Sequence, residues 1–222
     1  MTYIYSRQKN LYDPDGDNQP KIHIYGIGSV GSVLCLSLAK TGFSGISVYD
    51  DDIIEMGNIP VQIYRFSDEG KTKTEAMQEI CKDFAGIEIE AHNQRIEEGF
   101  TFDVSKGSIH ILGVDSIESR QFIFNSLRGF QVYFFDTRIG RFEYERFCID
   151  ASNSEQCEYY EQSLKGDFSG LPCGMRSFYA VNTIVASLIV RDILKLIQDR
   201  GSPAISEHSE LFSEITIRRK TK

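Results

Sequence analysis

Three glycines with the spacing G-x-G-x-x-G are the first residues of the chain that could take part in chemistry. Gly26, Gly28 and Gly31 follow the apolar run KIHIY and precede a segment with a helical pattern. Backbone N–H groups at a helix N-terminus, with no side chains over them, attract phosphate. Asp50 ends a second apolar run, where a carboxylate can accept hydrogen bonds from both hydroxyls of a ribose. The pattern predicts a site for an adenosine-containing nucleotide.

The glycine turn by itself does not identify the reaction. An alternative interpretation is that the glycines only allow a helix to pack closely on a sheet and that Asp50 caps a loop. If a nucleotide does bind, three chemistries share this turn: hydride transfer with NAD, methyl transfer with S-adenosylmethionine, and adenylation with ATP. Residues elsewhere in the chain must decide among them.

Strands and helices alternate around the glycine turn. Apolar runs predict strands at 21–25, 46–50, 87–91, 109–114 and 132–136, with helical patterns between them at 32–41, 71–84 and 117–127. Strands that alternate with helices form a parallel sheet.

The C-terminal part departs from this alternation. Residues 142–149 alternate as a strand does, 155–164 and 176–198 have helical patterns, and the segment ELFSEITIRR ends in a strand. We therefore expect an α/β fold, with a Rossmann-like, doubly wound, mostly parallel sheet. Additional antiparallel strands at the C-terminal end would make the sheet mixed.

Size and charge restrict the function classes. The chain has 222 residues, a length that fits one domain, which we place at 21–222. Residues 1–20 form an N-terminal arm that ends in the loop DPDGDNQP. A net charge of −8 argues against partners such as nucleic acid or an anionic membrane, because proteins that follow phosphates need a positive surface. The longest apolar stretch, 180–197, contains three charged residues, so we expect no membrane span.

The cysteines indicate the compartment. The chain has five, and none forms a C-x-x-C pair, so neither a disulfide framework nor a structural zinc site is expected. Unpaired thiols are typical of a reducing compartment, and we expect a cytoplasmic protein.

Six short motifs lie along the chain: an N-terminal Y-S-R-Q, the glycine turn, a D-x-D pair, an asparagine and a glutamine four residues apart, a G-x-x-K and a D-S-x-x-x-R. In these motifs the chain resembles the ThiF/MoeB superfamily of ubiquitin-activating-like adenylyltransferases. Each motif is short, but together they are specific, and the resemblance spans most of the chain. The resemblance implies that the chain is an adenylyltransferase that binds a nucleotide on a Rossmann-like fold.

The resemblance assigns roles to three charged residues. Lys73 matches the lysine that contacts the phosphates, and Asp115 matches the aspartate that holds Mg²⁺. Arg7 matches an arginine finger that reaches across a homodimer to the ATP of the partner. The alternatives are a solvated first-turn lysine, a helix N-cap and a mobile terminus, respectively.

Polar residues complete the nucleotide site that the resemblance implies. Asn58 and Gln62 match polar contacts to the nucleotide, and Asp52 matches the second carboxylate of D-x-D, which would support the loop. Arg120 fits the arginine of the D-S-x-x-x-R motif, with an ion pair to Glu118 or Asp115 as the alternative.

The function that the resemblance implies is activation of a carboxylate with ATP and Mg²⁺, with release of pyrophosphate. The partner would be the C-terminal glycine of a ubiquitin-like or sulfur-carrier-like protein or of a peptide. A regulator that binds a nucleotide without catalysis is an alternative. An NAD-dependent oxidoreductase is another, although it has no use for Lys73, Asp115 and Arg7.

One position departs from the family pattern, and one cysteine is a candidate for a further chemical step. Val61 stands where the family has an arginine before the glutamine, and Arg65 could supply the guanidinium if 60–66 formed a helical turn. Cys173 is the candidate nucleophile for transfer of the acyl group, because Arg176 and a helix start would lower its pKa. A buried cysteine beneath that helix is the alternative.

Overall fold

The computed structural model describes residues 4–15, 19–140, 143–165, 178–198, 203–210 and 218–220. Within them the helices are α1 (Ser29–Thr41), α2 (Lys73–Ala85), α3 (Ile117–Leu127), α4 (Ser154–Ser163) and α5 (Tyr179–Ile197). The strands are β1 (Ile22–Tyr25), β2 (Ile46–Tyr49), β3 (Glu90–His92), β4 (Ile109–Leu112), β5 (Tyr133–Ile139), β6 (Glu143–Asp150), β7 (Ser206–Glu210) and β8 (Arg218–Lys220).

These strands form one mixed sheet with the order β3-β2-β1-β4-β5-β6-β7-β8. The first five run parallel, and β6, β7 and β8 each pair antiparallel to the strand before. The predicted fold class is thereby confirmed, including the antiparallel strands at the C-terminal end. Because β1 has β2 on one side and β4 on the other, the chain changes direction across the sheet at β1, where ligands bind in folds of this kind.

The central strands are buried on both faces. All four residues of β1 (IHIY) and of β4 (IHIL) are buried, as continuous apolar strands of parallel sheets are. On one face α1 packs between the sheet, α2 and α5, and nine of its thirteen residues are buried. On the other face α3, α4 and the segment after β3 cover a second apolar cluster. The site therefore rests on a rigid centre.

Some element boundaries differ from the prediction. The strand expected at 87–91 is β3, three residues at 90–92, because Ile87 and Ile89 pack into the core within the connection from α2 instead of pairing with β2. Strand β5 extends to Ile139, beyond 136, because its last residues pair with β6. Tertiary pairing determines both boundaries.

The N-terminal arm packs on the C-terminal end of α1. The ring of Tyr12 stacks on Phe43 with 5.0 Å between centroids, and Gln8 Nε2 donates to the carbonyl of Thr41 at 2.7 Å. Helix α1 is about 20 Å long at 1.5 Å per residue. The arm thus lies at the opposite end of α1 from the glycine turn. Among the described helices, none is both long and apolar enough to cross a bilayer.

A buried ion network joins the C-terminal strands to α5. Arg146 of β6 is 1% exposed and forms ion pairs with Asp192 of α5 and, at 3.1 Å, with Glu207 of β7. Tyr144 donates to the same glutamate at 2.6 Å. Arg191 of α5 also pairs with the neighbouring Asp192 at 2.8 Å. Because Arg146 has its two partners on α5 and β7, its ion pairs form only when both elements meet the sheet.

We expect Arg146→Ala to lower the free energy of unfolding by about 3 kcal/mol, because it removes the buried cation between Asp192 and Glu207 and leaves, among the described cations, only the partly exposed Arg191 near them. Urea denaturation of the variant and the wild type would measure the difference. Arg128→Ala is the matched control, since it removes an exposed pair with Glu161 and should change stability little. Equal stability of the two variants would contradict the assigned role of the network.

Candidate functional site

A cavity of about 480 Å³ lies at the carboxyl ends of the parallel strands. Its volume is within the range usual for small-molecule sites. The lining comes from the segments that follow β1, β2, β3 and β4, from the start of α3 and from the end of β5. Of the candidate residues, the structure brings to this cavity Gly26, Gly28, Asp50, Asp52, Asn58, Gln62, Lys73, Asp115 and Arg120.

The three positions of the glycine turn differ in why the structure requires a residue without a side chain. Gly26 has a φ of +90°, and a Cβ there would lie 2.7 Å from the carbonyl oxygen of Gly113. A Cβ at Gly31 would overlap the carbonyl oxygen of Gly26. By contrast, a Cβ at Gly28 would meet no atom within 4 Å. Close packing therefore explains Gly26 and Gly31 but not Gly28, which borders the cavity and permits a close approach to its backbone.

The N-terminus of α1 faces this cavity without a side-chain cap. Gly28 is the N-cap, no acidic residue occupies the first turn, and the first backbone bond of the helix runs from Ser32 N to Gly28 O at 3.1 Å. The N–H groups of the preceding residues are those that an α-helix leaves without internal partners. Together with the helix dipole they suit an anion such as a phosphate.

Asp50 links the glycine turn to the end of β2. Its carboxylate accepts from Ile27 N at 2.8 Å and from Asp52 N at 3.0 Å. Burial raises the pKa of Asp50, while Lys73 and these two backbone N–H groups act in the opposite direction. Asp50 therefore does fix the loop, as the alternative interpretation holds, and it does so at the border of the cavity.

Lys73 is held against two carboxylates. Its ammonium lies 2.5 Å from Asp52 Oδ2 and 3.5 Å from Asp50 Oδ1. The side chain is 8% exposed, so the interpretation as a solvated first-turn lysine is wrong. Its position is set locally, because Thr72 caps α2 by accepting from Glu75 N. The cavity therefore holds a fixed positive charge near its glycine turn.

Asn58 and Gln62 come from the loop after β2. Asn58 Oδ1 accepts from Glu55 N at 3.0 Å and closes a short 3₁₀ turn. Gln62 is buried, and its Oε1 has no hydrogen-bond partner among the described residues. A buried acceptor without a donor is costly, and a ligand donor in the cavity would satisfy it.

Asp115 follows β4 and is exposed at the cavity. The alternative role as a helix N-cap is wrong, because Ser116 caps α3 by accepting from Ser119 N at 3.0 Å. Among the described residues, the acidic groups close enough to share an ion are Asp50, Asp51 and Asp52, with oxygens within 4.8 Å of one another. One exposed carboxylate suits Mg²⁺, which is usually bound by one or two carboxylates together with substrate phosphates.

A family model described as the ThiF family matches residues 5–221. The chain belongs to the ThiF family. The match confirms the resemblance drawn from the sequence.

Curated relatives match part of the ThiF chain. The NEDD8-activating enzyme E1 catalytic subunit of Arabidopsis thaliana is 34% identical over 139 residues, which cover 57% of this chain and 31% of that protein. The protein of the same name from Caenorhabditis elegans is 40% identical over 105 residues, covering 46% and 24%. Ubiquitin-like modifier-activating enzyme 5 of Dictyostelium discoideum is 28% identical over 109 residues, covering 49% and 29%. The matches span less than a third of each relative.

Solved structures with the same fold cover nearly the whole ThiF chain. PaaA superposes with a TM-score of 0.74 and 19% identity over 99% of this chain and 82% of its own. E. coli MccB, in a structure with ATP, gives a TM-score of 0.69 and 18% identity over 98% and 71%. At these identities the likeness shows the fold.

Arg7 does not reach the cavity of its own ThiF chain. It is exposed beside Lys40 and Phe84 in a second, smaller cavity of about 330 Å³ at the C-terminal end of α1. The length of α1 separates this position from the glycine turn. If Arg7 contacts a nucleotide, that nucleotide must belong to another copy of the chain.

Arg65 does not lie on the cavity either, contrary to the hypothesis that it replaces an arginine at Val61. Residues 60–65 do not form the helical turn that this hypothesis requires. The guanidinium of Arg65 instead forms ion pairs with Asp68 at 2.9 Å, Glu79 at 2.8 Å and Asp83 at 3.2 Å. These pairs hold the loop after β2 against α2.

Cys173 lies outside the described residues, so its candidacy as a nucleophile stays a prediction. The other cysteines, Cys35, Cys81, Cys148 and Cys157, are all buried. Burial raises the pKa of Cys148 and of Cys157, which disfavours the reactive thiolate.

Arg120, the arginine of the D-S-x-x-x-R motif, also lines the cavity. It is buried, and the ion pair that it forms among the described residues is with Asp136 of β5, and not with Glu118 or Asp115.

Sequence reasoning missed two residues of the cavity. Gly113 is needed for the close contact with Gly26, and Arg95 follows β3 at the border of the cavity. A glycine at the end of the predicted strand at 109–114 could have suggested Gly113, but the position of Arg95 depends on the order of the strands in the sheet.

We expect Gly28→Ala and Gly31→Ala to separate binding from folding. Gly28→Ala should retain the thermal stability of the wild type and weaken nucleotide affinity about tenfold or more, because its methyl group would occupy the space beside the helix N-terminus. Gly31→Ala should lower stability by about 1–3 kcal/mol through overpacking. Thermal unfolding and calorimetric titration with ATP would measure both effects. Unchanged ATP affinity in Gly28→Ala would contradict this assignment.

Proposed function

We propose that this ThiF chain is an adenylyltransferase that uses ATP to activate a carboxylate as an acyl-adenylate. The observation that supports it most is the convergence of an uncapped helix N-terminus, an open Gly28 and the buried Lys73 in one cavity. A carboxylate oxygen would form a bond to the α-phosphorus, and the bond from that phosphorus to the bridging oxygen of pyrophosphate would break. No proton transfer is needed for the step to balance.

The residues of the cavity fit the electrostatic demand of this reaction. A carboxylate that attacks a phosphate brings two anions together, so the site must concentrate positive charge. The N–H groups at the start of α1 and the ammonium of Lys73 supply it. An ammonium has three N–H bonds, and the contacts with Asp50 and Asp52 leave at least one for a phosphate oxygen.

Other cavity residues would bind the remaining parts of the nucleotide. Asp50 lies where the ribose hydroxyls are bound in doubly wound folds, and Gln62 offers its unpaired oxygen to a donor. Asp115 would hold Mg²⁺, which when bound supplies positive charge to the phosphates. Asn58 shapes the loop that carries Gln62.

The carboxylate substrate is proposed from the relatives. Two of them are named as activating enzymes for NEDD8 or a ubiquitin-like modifier, and a solved structure shows MccB with MccA. We propose that the substrate is the C-terminal glycine of a ubiquitin-fold protein or of a peptide, met in the cytoplasm. In this proposal residues 21–222 form the adenylation domain and residues 1–20 form its arm.

We also propose that the active form is a homodimer in which Arg7 acts on the partner. The position of Arg7 at the far end of α1 supports this arrangement, since its own cavity is about 20 Å away. The planar guanidinium would bind phosphate oxygens through paired N–H groups.

A nucleotide-binding regulator without catalysis is the second candidate. Val61 lines the cavity where the family has an arginine, and Arg65 is held elsewhere by ion pairs. The cavity thus has one phosphate ligand fewer than the family pattern provides. Such a regulator would bind ATP without exchanging pyrophosphate.

We expect ATP–pyrophosphate exchange that depends on a protein or peptide with a free C-terminal glycine. Lys73→Ala and Asp115→Ala should each reduce the exchange rate at least about a hundredfold, because the first removes a positive charge beside the phosphates and the second removes the carboxylate that would hold Mg²⁺. Radiolabelled pyrophosphate measures the exchange, with Arg128→Ala as a control of unchanged activity. Tight ATP binding without exchange, tested with a panel of ubiquitin-fold proteins and peptides, would favour the regulator.

We expect Arg7→Ala and Asp115→Ala to be inactive separately and active when mixed. A heterodimer of the two variants contains one site with a wild-type Asp115 and a wild-type Arg7 from the partner. Purified heterodimers should therefore have about half of the wild-type exchange rate, and a random mixture of the two variants about a quarter. Differently tagged variants, co-expressed and purified through both tags, would test this. No recovery in heterodimers, or full activity of Arg7→Ala alone, would contradict action across the dimer.

A further inference from the structure

Arg95 has an unengaged guanidinium at the border of the cavity. It is exposed, and it forms no hydrogen bond or ion pair with the described residues. The other cations on the described lining, Lys73 and Arg120, are buried and paired with carboxylates. Arg95 therefore differs from them in having its charge and its donors available to a ligand.

The position of Arg95 places it on the side of the cavity away from the phosphate-binding turn. It follows β3, the strand beyond β2, and the two strand ends are joined where Asp50 N donates to His92 O at 3.3 Å. Along the edge of the sheet, Arg95 after β3 is therefore followed by Asp50 after β2 and then by the glycine turn after β1. A nucleotide with its phosphates at the turn and its ribose at Asp50 would direct its base toward the segment that contains Arg95.

That side of the cavity has the apolar surface that a base requires. Ile96 is buried in the second core cluster, and Tyr49 at the end of β2 packs against the same cluster while lining the cavity. A flat purine can lie on such a surface with one face covered.

We propose that Arg95 lays its planar guanidinium on the nucleobase and so positions it in the cavity. This inference rests on the proposed use of ATP and adds a residue to that site. Arginine stacks on aromatic planes through cation–π and π contacts, whereas the ammonium of lysine lacks the plane. An exposed guanidinium without a partner among the described residues has its plane available for such a contact.

The test compares binding of ATP, ADP and inorganic triphosphate to wild type, Arg95→Ala and Arg95→Lys by calorimetric titration with Mg²⁺. We expect Arg95→Ala to weaken ATP and ADP by the same factor, on the order of tenfold, as loss of one stacking contact does. Inorganic triphosphate should bind all three proteins within about twofold. Lysine should not restore the affinity, because the plane and not the charge makes the contact.

The controls separate this inference from the function on which it rests. Arg128→Ala removes an exposed guanidinium outside the cavity and should leave ATP binding unchanged. If Arg95→Lys restores ATP affinity, or if triphosphate binding falls in parallel with that of ATP, Arg95 is a phosphate ligand and the stacking role is wrong. Unchanged ATP affinity in Arg95→Ala also overturns it. Failure of the wild type to bind ATP would overturn the proposed function as well.

Discussion

The contact among Gly26, Gly31 and Gly113 is the constraint on which the site depends. A side chain at Gly26 or Gly31 would collide with backbone, and one at Gly113 would meet the carbonyl of Gly26. Their absence lets the first turn of α1 and the end of β4 approach the end of β1 directly. The uncapped N–H groups, Asp50 and Asp115 therefore border one cavity instead of lying apart.

The sequence predicted the bounds of an element well where residues within or next to that element determine them. Helix α3 begins and ends where its pattern predicts, since Ser116 provides a cap and the apolar residues have helical spacing. The mixed sheet followed from the change from alternating helices and strands to neighbouring strands. Boundaries failed where pairing between distant strands set them, as in β3 and in the extension of β5 along β6.

The site was predictable only in the parts that short motifs encode. The glycine turn, Asp50, Lys73 and Asp115 lie together as spacing and resemblance suggested. Arg65 could not be placed from sequence, because its partners Glu79 and Asp83 lie on α2. Ion pairs with these distant residues, and not a local helical turn, determine its position. The pair of Arg120 with Asp136 and the location of Arg95 likewise depend on how strands are ordered in the sheet.

The two carboxylates around Lys73 differ in how easily they can leave it. Asp50 is buried and held by two backbone N–H groups, whereas the side chain of Asp52 is 66% exposed. Asp52 is therefore the counter-ion of the ammonium that solvent can reach, whereas Asp50 is fixed. In the proposed function a phosphate would take the place of Asp52 while Asp50 stays. The buried cation would then have two anionic neighbours both before and after the exchange.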